Sequence, residues 1–488
     1  MAIFTAIYSA SIKVTGSWVD VTDLVLELSG SNEATRNADN ALSFGDSSET
    51  RISVRGLLDL MAYTWEFTPF KAEFGMDGPA VQVFNGVITA RDNTLDDVTF
   101  TCEGFAVLAK NMKEYSRVFV HKPVATKTTA SSVEDPDEPA YAAGPINWIL
   151  WKSGGRPVEQ DFSYPDAAFY YSCDRALIAP RFAWIAGENG WDEALKLVQA
   201  SGGQLFQAAD GTITYRQPYT IADNAPGSPY LFTTSAFKGF KQRQSTRQLM
   251  TKALCSFIPR FLRPTQDVAE DTTSRLIPGG ETITFDIEPT WPLYNLEQAS
   301  KGQLAASCFT MTFLGGRGAV LNTDYTHTLI ITAQRISLTI ENLTTRPMEL
   351  AKVVLRGQPI TAGEAGSVSY GSGTAVKEIA SGNPYIQSAL DGERLCQLYM
   401  AFYGDAHPLR TLSGCVYNPD RVIGEIVELS IDELGLSAVP HVIVAIRHSQ
   451  TGAEMEVDLV EIEGIHKTSD FFIVGRNYTG VSSKLVGY

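Results

Sequence analysis

The chain lacks the sequence marks of several common protein classes. None of its 488 residues lie in an apolar run near the roughly 18 to 20 residues that a bilayer span needs, so no membrane helix is expected. The opening residues, MAIFTAIYSASIKVTG, carry no lysine before Lys13 and no basic segment followed by an apolar block. We therefore expect no export signal, and a protein that acts outside the cell without one leaves by lysis or by a dedicated machine.

Cysteine and histidine are scarce, with six of each in the chain. The cysteines form no C-x-x-C pair and no short spacing with histidine that would hold zinc, so we interpret them as small buried hydrophobes in a reducing compartment. His441 and His448 are the nearest pair of histidines. An odd number of residues separates them, so a regular strand would point them to opposite faces, and no shared metal site is expected.

The common catalytic motifs are also missing. The chain has no G-x-x-x-x-G-K-[ST] loop, H-E-x-x-H helix, G-x-S-x-G elbow or EF-hand loop. Asp161 and Asp166, in DFSYPDAAFYY, could imitate the acid and base of a sugar hydrolase. A solvated loop above packed tyrosines is the preferred interpretation, and we expect no catalytic, cofactor or metal site.

The net charge of −16 argues against a protein that binds nucleic acid by neutralising phosphates. A protein surface with this charge would instead repel DNA, as the lining of a DNA conduit might. One segment, Lys238 to Arg263, runs against the overall charge, with seven cations, no acid and three interleaved phenylalanines, Phe240, Phe257 and Phe261. Such a pattern can bind single-stranded nucleic acid, but in this acidic chain we favour a basic strip that meets an acidic face of a neighbouring subunit.

Two groups of residues are therefore candidates for an interface. The first group is basic, and the second lies in the apolar tail from His466 to Tyr488, whose aromatic side chains are costly to leave in water. The candidate interface residues are Lys238, Lys241, Arg243, Arg247, Phe471 and Phe472.

Alternating apolar residues predict strands in much of the chain. In the first section, Ile52 to Val54 and Val98 to Cys102 show the two-residue period of a half-buried strand. Between them, Asn85-Gly86 is flanked by apolar residues, which predicts a tight hairpin. An antiparallel barrel or sandwich is the expected outcome.

A helix followed by a hairpin is predicted in the middle of the chain. Trp191, Leu195 and Val198 share one helical face, and Gly202-Gly203 ends the helix. The hairpin follows, with Asp210-Gly211 as its turn.

Further along, more strands, two long loops and a second helix are expected. The loops are predicted at Thr265 to Pro292 and at Thr361 to Gly382. The helix is predicted from Pro384 to Tyr403, with Ile386, Leu390, Leu398 and Phe402 as its apolar stripe. In the final strand Met455, Val457 and Leu459 should face the core, while Glu454, Glu456 and Asp458 face water or a partner.

These patterns predict a mainly β fold with α+β insertions, divided into several domains. Residues 121–145, rich in Pro, Ser, Thr and acid, are expected to form a mobile loop or an arm that reaches a neighbour. The expected segments are a β-barrel at 1–118, an exposed insertion and connector at 119–185, a helix-plus-hairpin α/β domain at 186–255, a β-rich middle domain at 256–382, a helix plus closing β-barrel at 383–465 and a docking tail at 466–488.

Four passages, in this order, resemble the baseplate hub, or tail-associated minor tail protein, of long-tailed phages. The first is GSWVDVTDLVLELSGS with RISVRG, and the second is FNGVITARDNTLDDVTFTCEGFAVLA. The third is WDEALKLVQASGGQLFQAADGTITYR. The fourth joins NPYIQSALDGERLCQLYMAFYGDAHPLRTLSGCVYNPDRVIGEIVELS to HVIVAIRHSQTGAEMEVDLVEIEG. The chain departs from the family at Gly424-Glu425, where Gly-Asp is frequent.

The resemblance implies two hub-type β-barrels, with a middle α/β and sandwich-like region between them. It implies a homotrimer whose six barrels form a pseudo-six-fold ring at the virion tail tip, assembled in the bacterial host cytoplasm. The implied partners are the distal tail ring protein, the C-terminus of the tape measure, tip or fibre proteins, and DNA that passes without specific binding. No cofactor and no catalysis are implied.

Three alternatives remain open from the sequence. The chain could be the six-fold distal tail ring protein, which shares barrel architecture but is usually shorter. It could be a tail-borne glycan or peptidoglycan hydrolase, on the strength of Asp161 to Tyr171. It could also be a protein that binds a host carbohydrate.

Overall fold

The computed structural model of the chain describes most of its residues. The described ranges are 6–14, 17–34, 46–57, 59, 67–76, 81–126, 144–158, 167–176, 178–187, 189–208, 210–217, 229–243, 250–300, 302–316, 318–403, 408–416, 418, 421, 423–448 and 454–461. Strands account for 52% of the structure and helices for 14%, which confirms the mainly β fold class.

The first seven strands form an antiparallel half-barrel in the order β2-β1-β5-β6-β7-β4-β3. They are β1 Ala6–Val14, β2 Ser17–Asp20, β3 Val25–Ala34, β4 Asp46–Leu57, β5 Pro69–Met76, β6 Val81–Asn93 and β7 Asp97–Glu103. In β7, Val98, Phe100 and Cys102 are buried and the residues between them are not, as predicted. These side chains pack with Ile12 and Phe70 into one apolar core.

The predicted hairpin turn at Asn85-Gly86 is wrong. Both residues lie inside the continuous strand β6, where Gly86 pairs with Phe70 of β5. A β-carbon on Gly86 would stand 2.3 Å from the carbonyl oxygen of Glu103. Glycine is needed here because two strands approach closely, and not because the chain turns.

A mixed α/β connector follows the half-barrel. Its elements are α1 Ala106–Asn111, β8 Phe119–Val120, α2 Pro145–Lys152, β9 Gly155–Pro157, β10 Phe169–Cys173, β11 Phe182–Ala183, α3 Gly190–Ser201, β12 Gln204–Gln207 and β13 Ile213–Arg216. Strands β9-β10-β13-β12 form a sheet that continues into β4 through a short parallel pairing. Residues 127–143 of the expected insertion lie outside the described residues, and Val124 and Ala125 before them are fully buried.

The predicted helix and hairpin are confirmed in this connector. The Asn189 side chain caps α3 by accepting the backbone N–H groups of Trp191 and Asp192, and Gly202 ends the helix at a φ of +66°. Strands β12 and β13 then pair antiparallel. Trp191 is buried against α1 and α2, so the apolar face of α3 fixes the connector core.

A small sheet, β26-β16-β27, packs against helix α4. Its strands are β16 Lys252–Phe257, β26 Gly366–Gly371 and β27 Val376–Ile379, and the helix is α4 Ala389–Tyr403. The helix begins five residues later than predicted, because the Ser388 hydroxyl accepts the N–H of Asp391. Leu390, expected in the apolar stripe, is 45% exposed, while Leu395 and Cys396 face the core.

A β-sandwich is inserted between β16 and β26. Its strands are β17 Arg260–Leu262, β18 Gln266–Asp271, β19 Arg275–Ile277, β20 Thr282–Ile287, β21 Leu293–Leu296, β22 Phe309–Phe313, β23 Tyr325–Ile331, β24 Ile336–Asn342 and β25 Met348–Ala362. The long strand β25 has partners on both edges, and the sheet β20-β24-β23 packs over it through one apolar core.

The two loops predicted around this sandwich are wrong. Thr265 to Pro292 contains β18, β19 and β20, and Thr361 to Gly382 contains the end of β25 together with β26 and β27. In β20, exposed threonines alternate with the half-buried Ile283 and Phe285. The residues of β20 that face outward are polar, and this made the segment look like a loop in the sequence. The inward residues nevertheless pack against the sandwich core.

The last strands form a second half-barrel in the order β15-β28-β31-β30-β29-β14. They are β14 Tyr230–Thr233, β15 Gly239–Arg243, β28 Leu409–Val416, β29 Ile426–Ile431, β30 Leu436–His448 and β31 Glu454–Glu461. Strand β3 pairs with the end of β30 from Gly30 to Glu33, so the two half-barrels share one sheet. The sequence boundaries of the domains remain a prediction.

Candidate assembly interface

Strand β15 carries two of the candidate interface residues, Lys241 and Arg243, at an edge of the second half-barrel, and Lys238 directly precedes it. Within the described chain it pairs only with β28, from Gly239 opposite Ser413 to Arg243 opposite Leu409. Its other edge therefore presents backbone N–H and C=O groups without a strand partner in the described ranges. An unpaired edge of this kind is a template for a strand of another chain.

The charged side chains along this edge differ in how they are neutralised. Lys238, just before β15, forms an ion pair with Glu454, and both side chains are largely exposed, so the pair adds little to stability. Lys241 and Arg243 are exposed and have no ion-pair or hydrogen-bond partner among the described residues. Arg247, Phe471 and Phe472 lie outside the described residues.

The rest of the basic segment does not continue this surface. Lys252 lies in β16, while Arg260 stacks on Trp184 with 4.9 Å to the ring centroid, and burial lowers the pKa of its guanidinium. The phenylalanines also separate, since Phe240 packs into the second half-barrel, Phe257 packs against the connector core and Phe261 is 43% exposed. These rings form no common platform for stacked bases.

A buried polar cluster lies directly behind β15, and the sequence interpretation missed it. Arg410 of β28 is 5% exposed, and its Nε donates to Oε1 of Gln242 at 3.1 Å. Its Nη1 donates to Glu461 at 2.6 Å and to the Nε2 atom of His441. The available signal was a cation at an inward position, because Arg410 alternates in phase with the buried Leu412.

His441 is neutral in this cluster. The ring is fully buried, and burial lowers the pKa of His441 to about 4. Because a guanidinium can only donate, Nε2 accepts from Arg410, and the Nδ1–H donates to the carbonyl of Val439 at 2.7 Å. The cluster thus fixes both the tautomer of His441 and the side chain of Gln242 in the edge strand.

The predicted polar face of β31 is only partly confirmed. Met455, Val457 and Leu459 are buried, as expected. Asp458, expected to face water or a partner, is 1% exposed, since it accepts the hydroxyl of Thr411 at 2.7 Å and an Nη2–H of Arg447 at 2.9 Å. Neighbouring strands cover this carboxylate, so the face available to a partner is smaller than predicted.

The described ranges hold no cluster of three or more His, Cys, Asp or Glu side chains that could bind a metal ion. Their helices are too short or too polar to cross a bilayer. Five of the six cysteines are buried and all six are free thiols, which fits the interpretation of small hydrophobes. Asp161 and Asp166 lie outside the described residues.

Solved structures that resemble this chain include two tail proteins, a component of a type VI secretion system and a gene transfer agent particle, each at 10% identity or less. One is the 43 kDa tail protein of prophage MuSo2 from Shewanella oneidensis, with 10% identity, a TM-score of 0.46 and coverage of 94% of this chain and 99% of that one. A tail protein of Neisseria meningitidis MC58 has 9% identity, a TM-score of 0.42 and coverage of 94% and 97%.

A third similar structure is an Escherichia coli component of the type VI secretion system, described as similar to tail proteins of bacteriophage T4. It has 9% identity, a TM-score of 0.36 and coverage of 91% of this chain and 75% of that one. No family model and no curated protein matches the chain.

Proposed function

We propose that this chain is a non-enzymatic structural subunit of a phage tail tip, a hub protein that assembles with two further copies into a ring. The observation that carries the proposal is the joining of two half-barrels into one sheet through β3 and β30, with free edges at β2, β14 and β15 within the described chain. An unpaired edge strand of this kind is a template that a strand of another subunit can complete.

Three such subunits would place six half-barrels around one axis. A ring with this pseudo-six-fold symmetry would match a six-fold distal tail ring on one side and a three-fold tip or fibre on the other. The tape-measure C-terminus is the further partner that the sequence resemblance implies. With a net charge of −16, the lumen of the ring would repel DNA and let it slide during ejection.

The mass of the purified oligomer tests the stoichiometry. We expect three times the subunit mass of 53.2 kDa, measured by native mass spectrometry at physiological salt. Six copies would support the distal tail ring protein instead. A chain that stays monomeric at high concentration and is absent from mature particles would overturn the proposal.

Charge reversal on the edge strand tests the interface. We expect Lys241→Glu to raise the dissociation constant of the oligomer by about tenfold or more, because it places an acid where the proposal requires an acidic partner. The thermal stability of the subunit should hardly change, since Lys241 is exposed and has no partner among the described residues. Sedimentation velocity over a concentration series measures the effect.

Lys113→Glu is the matched control, because Lys113 is an exposed lysine in the connector, away from β15. It makes the same change in net charge. If both variants weaken the oligomer equally, the effect comes from overall charge, and β15 is not the interface.

A further inference from the structure

A groove of about 250 Å³ lies where the β-sandwich meets the connector. The sandwich contributes Glu288, Trp291 and Gln334, and the connector contributes Tyr115. This volume is below the roughly 300 Å³ at which pockets for drug-sized ligands begin, so the groove suits a small ligand.

The two walls of the groove are held at a fixed spacing. The backbone N–H of Ala333 donates to the carbonyl of Ser116 at 2.8 Å, and the N–H of Leu293 donates to the carbonyl of Ala333 at 2.6 Å. The Arg335 guanidinium also stacks on the Tyr115 ring at 5.5 Å. These bonds tie the connector, the β23 to β24 turn and the start of β21 together, so the groove exists before any ligand arrives.

The Tyr115 ring is placed by a glycine. Gly187 has a φ of +73°, and a β-carbon there would stand 2.3 Å from the ring. The hydroxyl of Tyr115 has no hydrogen-bond partner among the described residues. A side chain at position 187 would push the ring out of the groove, which links this glycine to the shape of the site.

The groove combines one exposed aromatic ring with free polar groups. Trp291 is 42% exposed and has no ring or cation partner among the described residues, so one face of its indole is available to a ligand. Glu288 and Gln334 make no hydrogen bond or ion pair within the described chain, so their oxygen and amide groups are available to a ligand. A pyranose ring matches both features, because it has an apolar C–H face for stacking and hydroxyl groups that donate and accept hydrogen bonds.

We propose that this groove binds one pyranose ring of a carbohydrate, with Trp291 as the stacking surface and the Tyr115 hydroxyl, Glu288 and Gln334 as hydrogen-bonding groups. Among the described lining residues Glu288 is the single carboxylate, whereas most glycoside hydrolases use a pair. The proposal is therefore binding of a sugar and not its cleavage. This inference goes beyond ring assembly and gives the subunit a contact with glycans.

Saturation-transfer NMR with the full-length chain tests the proposal. The probes are glucose, galactose, rhamnose and N-acetylglucosamine, each as monosaccharide and as trisaccharide. We expect saturation of the C–H protons of at least one probe, and about tenfold weaker binding in Trp291→Ala. Gln334→Ala, which removes a polar side chain from the turn between β23 and β24, should also weaken binding.

Trp18→Ala is the matched control, since Trp18 is 40% exposed in the first half-barrel, far along the chain from the groove elements. It should bind the same probe as the unmodified chain does. The proposal is overturned if no probe receives saturation, if both groove variants bind normally, or if Trp18→Ala loses binding equally. Oligomer mass is unaffected in every case, so failure here is distinct from failure of the ring.

Discussion

Replacing Gln207 with leucine is expected to lower the free energy of unfolding by about 2 to 6 kcal/mol, since a buried backbone N–H and a partly buried backbone carbonyl each lose a hydrogen bond at about 1 to 3 kcal/mol. Gln207 is 1% exposed. Its side-chain carbonyl accepts the N–H of Phe105 at 2.6 Å, and its amide donates to the carbonyl of Asn85 at 2.8 Å. Leucine fills a similar volume but satisfies neither group.

The position of Gln207 makes this loss consequential. The residue ends β12 in the connector, whereas Asn85 lies in β6 of the first half-barrel and Phe105 precedes α1. The Asn85 amide returns a bond to the carbonyl of Asp210 at 3.0 Å. A β-carbon on Gly104 would stand 2.4 Å from the Gln207 oxygen, so a larger residue there would displace the Gln207 side chain from its hydrogen bonds.

Urea unfolding followed by circular dichroism measures the change, and hydrogen exchange locates it. Faster exchange is expected in β12 and α1 before it spreads elsewhere. Gln199→Leu, at an exposed position of α3, is the control and should change stability by less than ~0.5 kcal/mol. A Gln207→Leu protein as stable as this control would show that the two units are held together by other contacts.

Local signals in the sequence predicted the helix and hairpin of the connector well. The apolar face of Trp191, Leu195 and Val198 and the glycine at position 202 agree on one helix, and each acts within a few residues of its own position. No distant contact was needed to place them. The same holds for β7, whose alternation of buried and half-buried residues is complete within the strand.

Contacts that are distant in sequence defeated the other predictions. Asn85-Gly86 has the composition of a tight turn. In the structure, however, Gly86 is needed because the backbone of Glu103 comes close to it, and the Asn85 side chain donates to the carbonyl of Asp210, more than 120 residues away. Strands β18 to β20 and β26 to β27 were expected as loops. They are short and polar on one face, and they become strands because β25, β24 and β16 offer edges to pair with.

At the candidate interface, too, local signals could be read from the sequence and long-range contacts could not. The sequence could point to Lys241 and Arg243 as uncompensated cations, and the structure places both on one exposed edge. It could not show that Arg410, His441 and Glu461 meet behind that edge, because they come from β28, β30 and β31. Only the inward phase of Arg410 indicated that a buried partner was required.

The stability of the second half-barrel is expected to fall as the pH drops from about 6.5 towards 4, by up to about 3 kcal/mol at ~1.4 kcal/mol per pH unit. Burial lowers the pKa of His441 to about 4 in the folded chain, while the unfolded chain titrates near the ordinary value of 6.5. Between these values the unfolded state binds more protons, so acid favours unfolding. Above pH 6.5 the full stability is present.

His441→Gln removes this titration and should flatten the dependence between pH 6.5 and pH 4.5 relative to the unmodified chain. His121→Asn is the control, because His121 is exposed and asparagine tolerates its positive φ of 49°. Urea midpoints at half-unit pH steps measure all three proteins.

Since an imidazolium beside the Arg410 guanidinium would have to be buried with it, protonation should also release Gln242 and loosen β15. The prediction is wrong if the unmodified chain and His441→Gln have the same pH profile. In that case water would reach His441 or its protonation would cost no stability, and the polar cluster would not hold the edge strand in place.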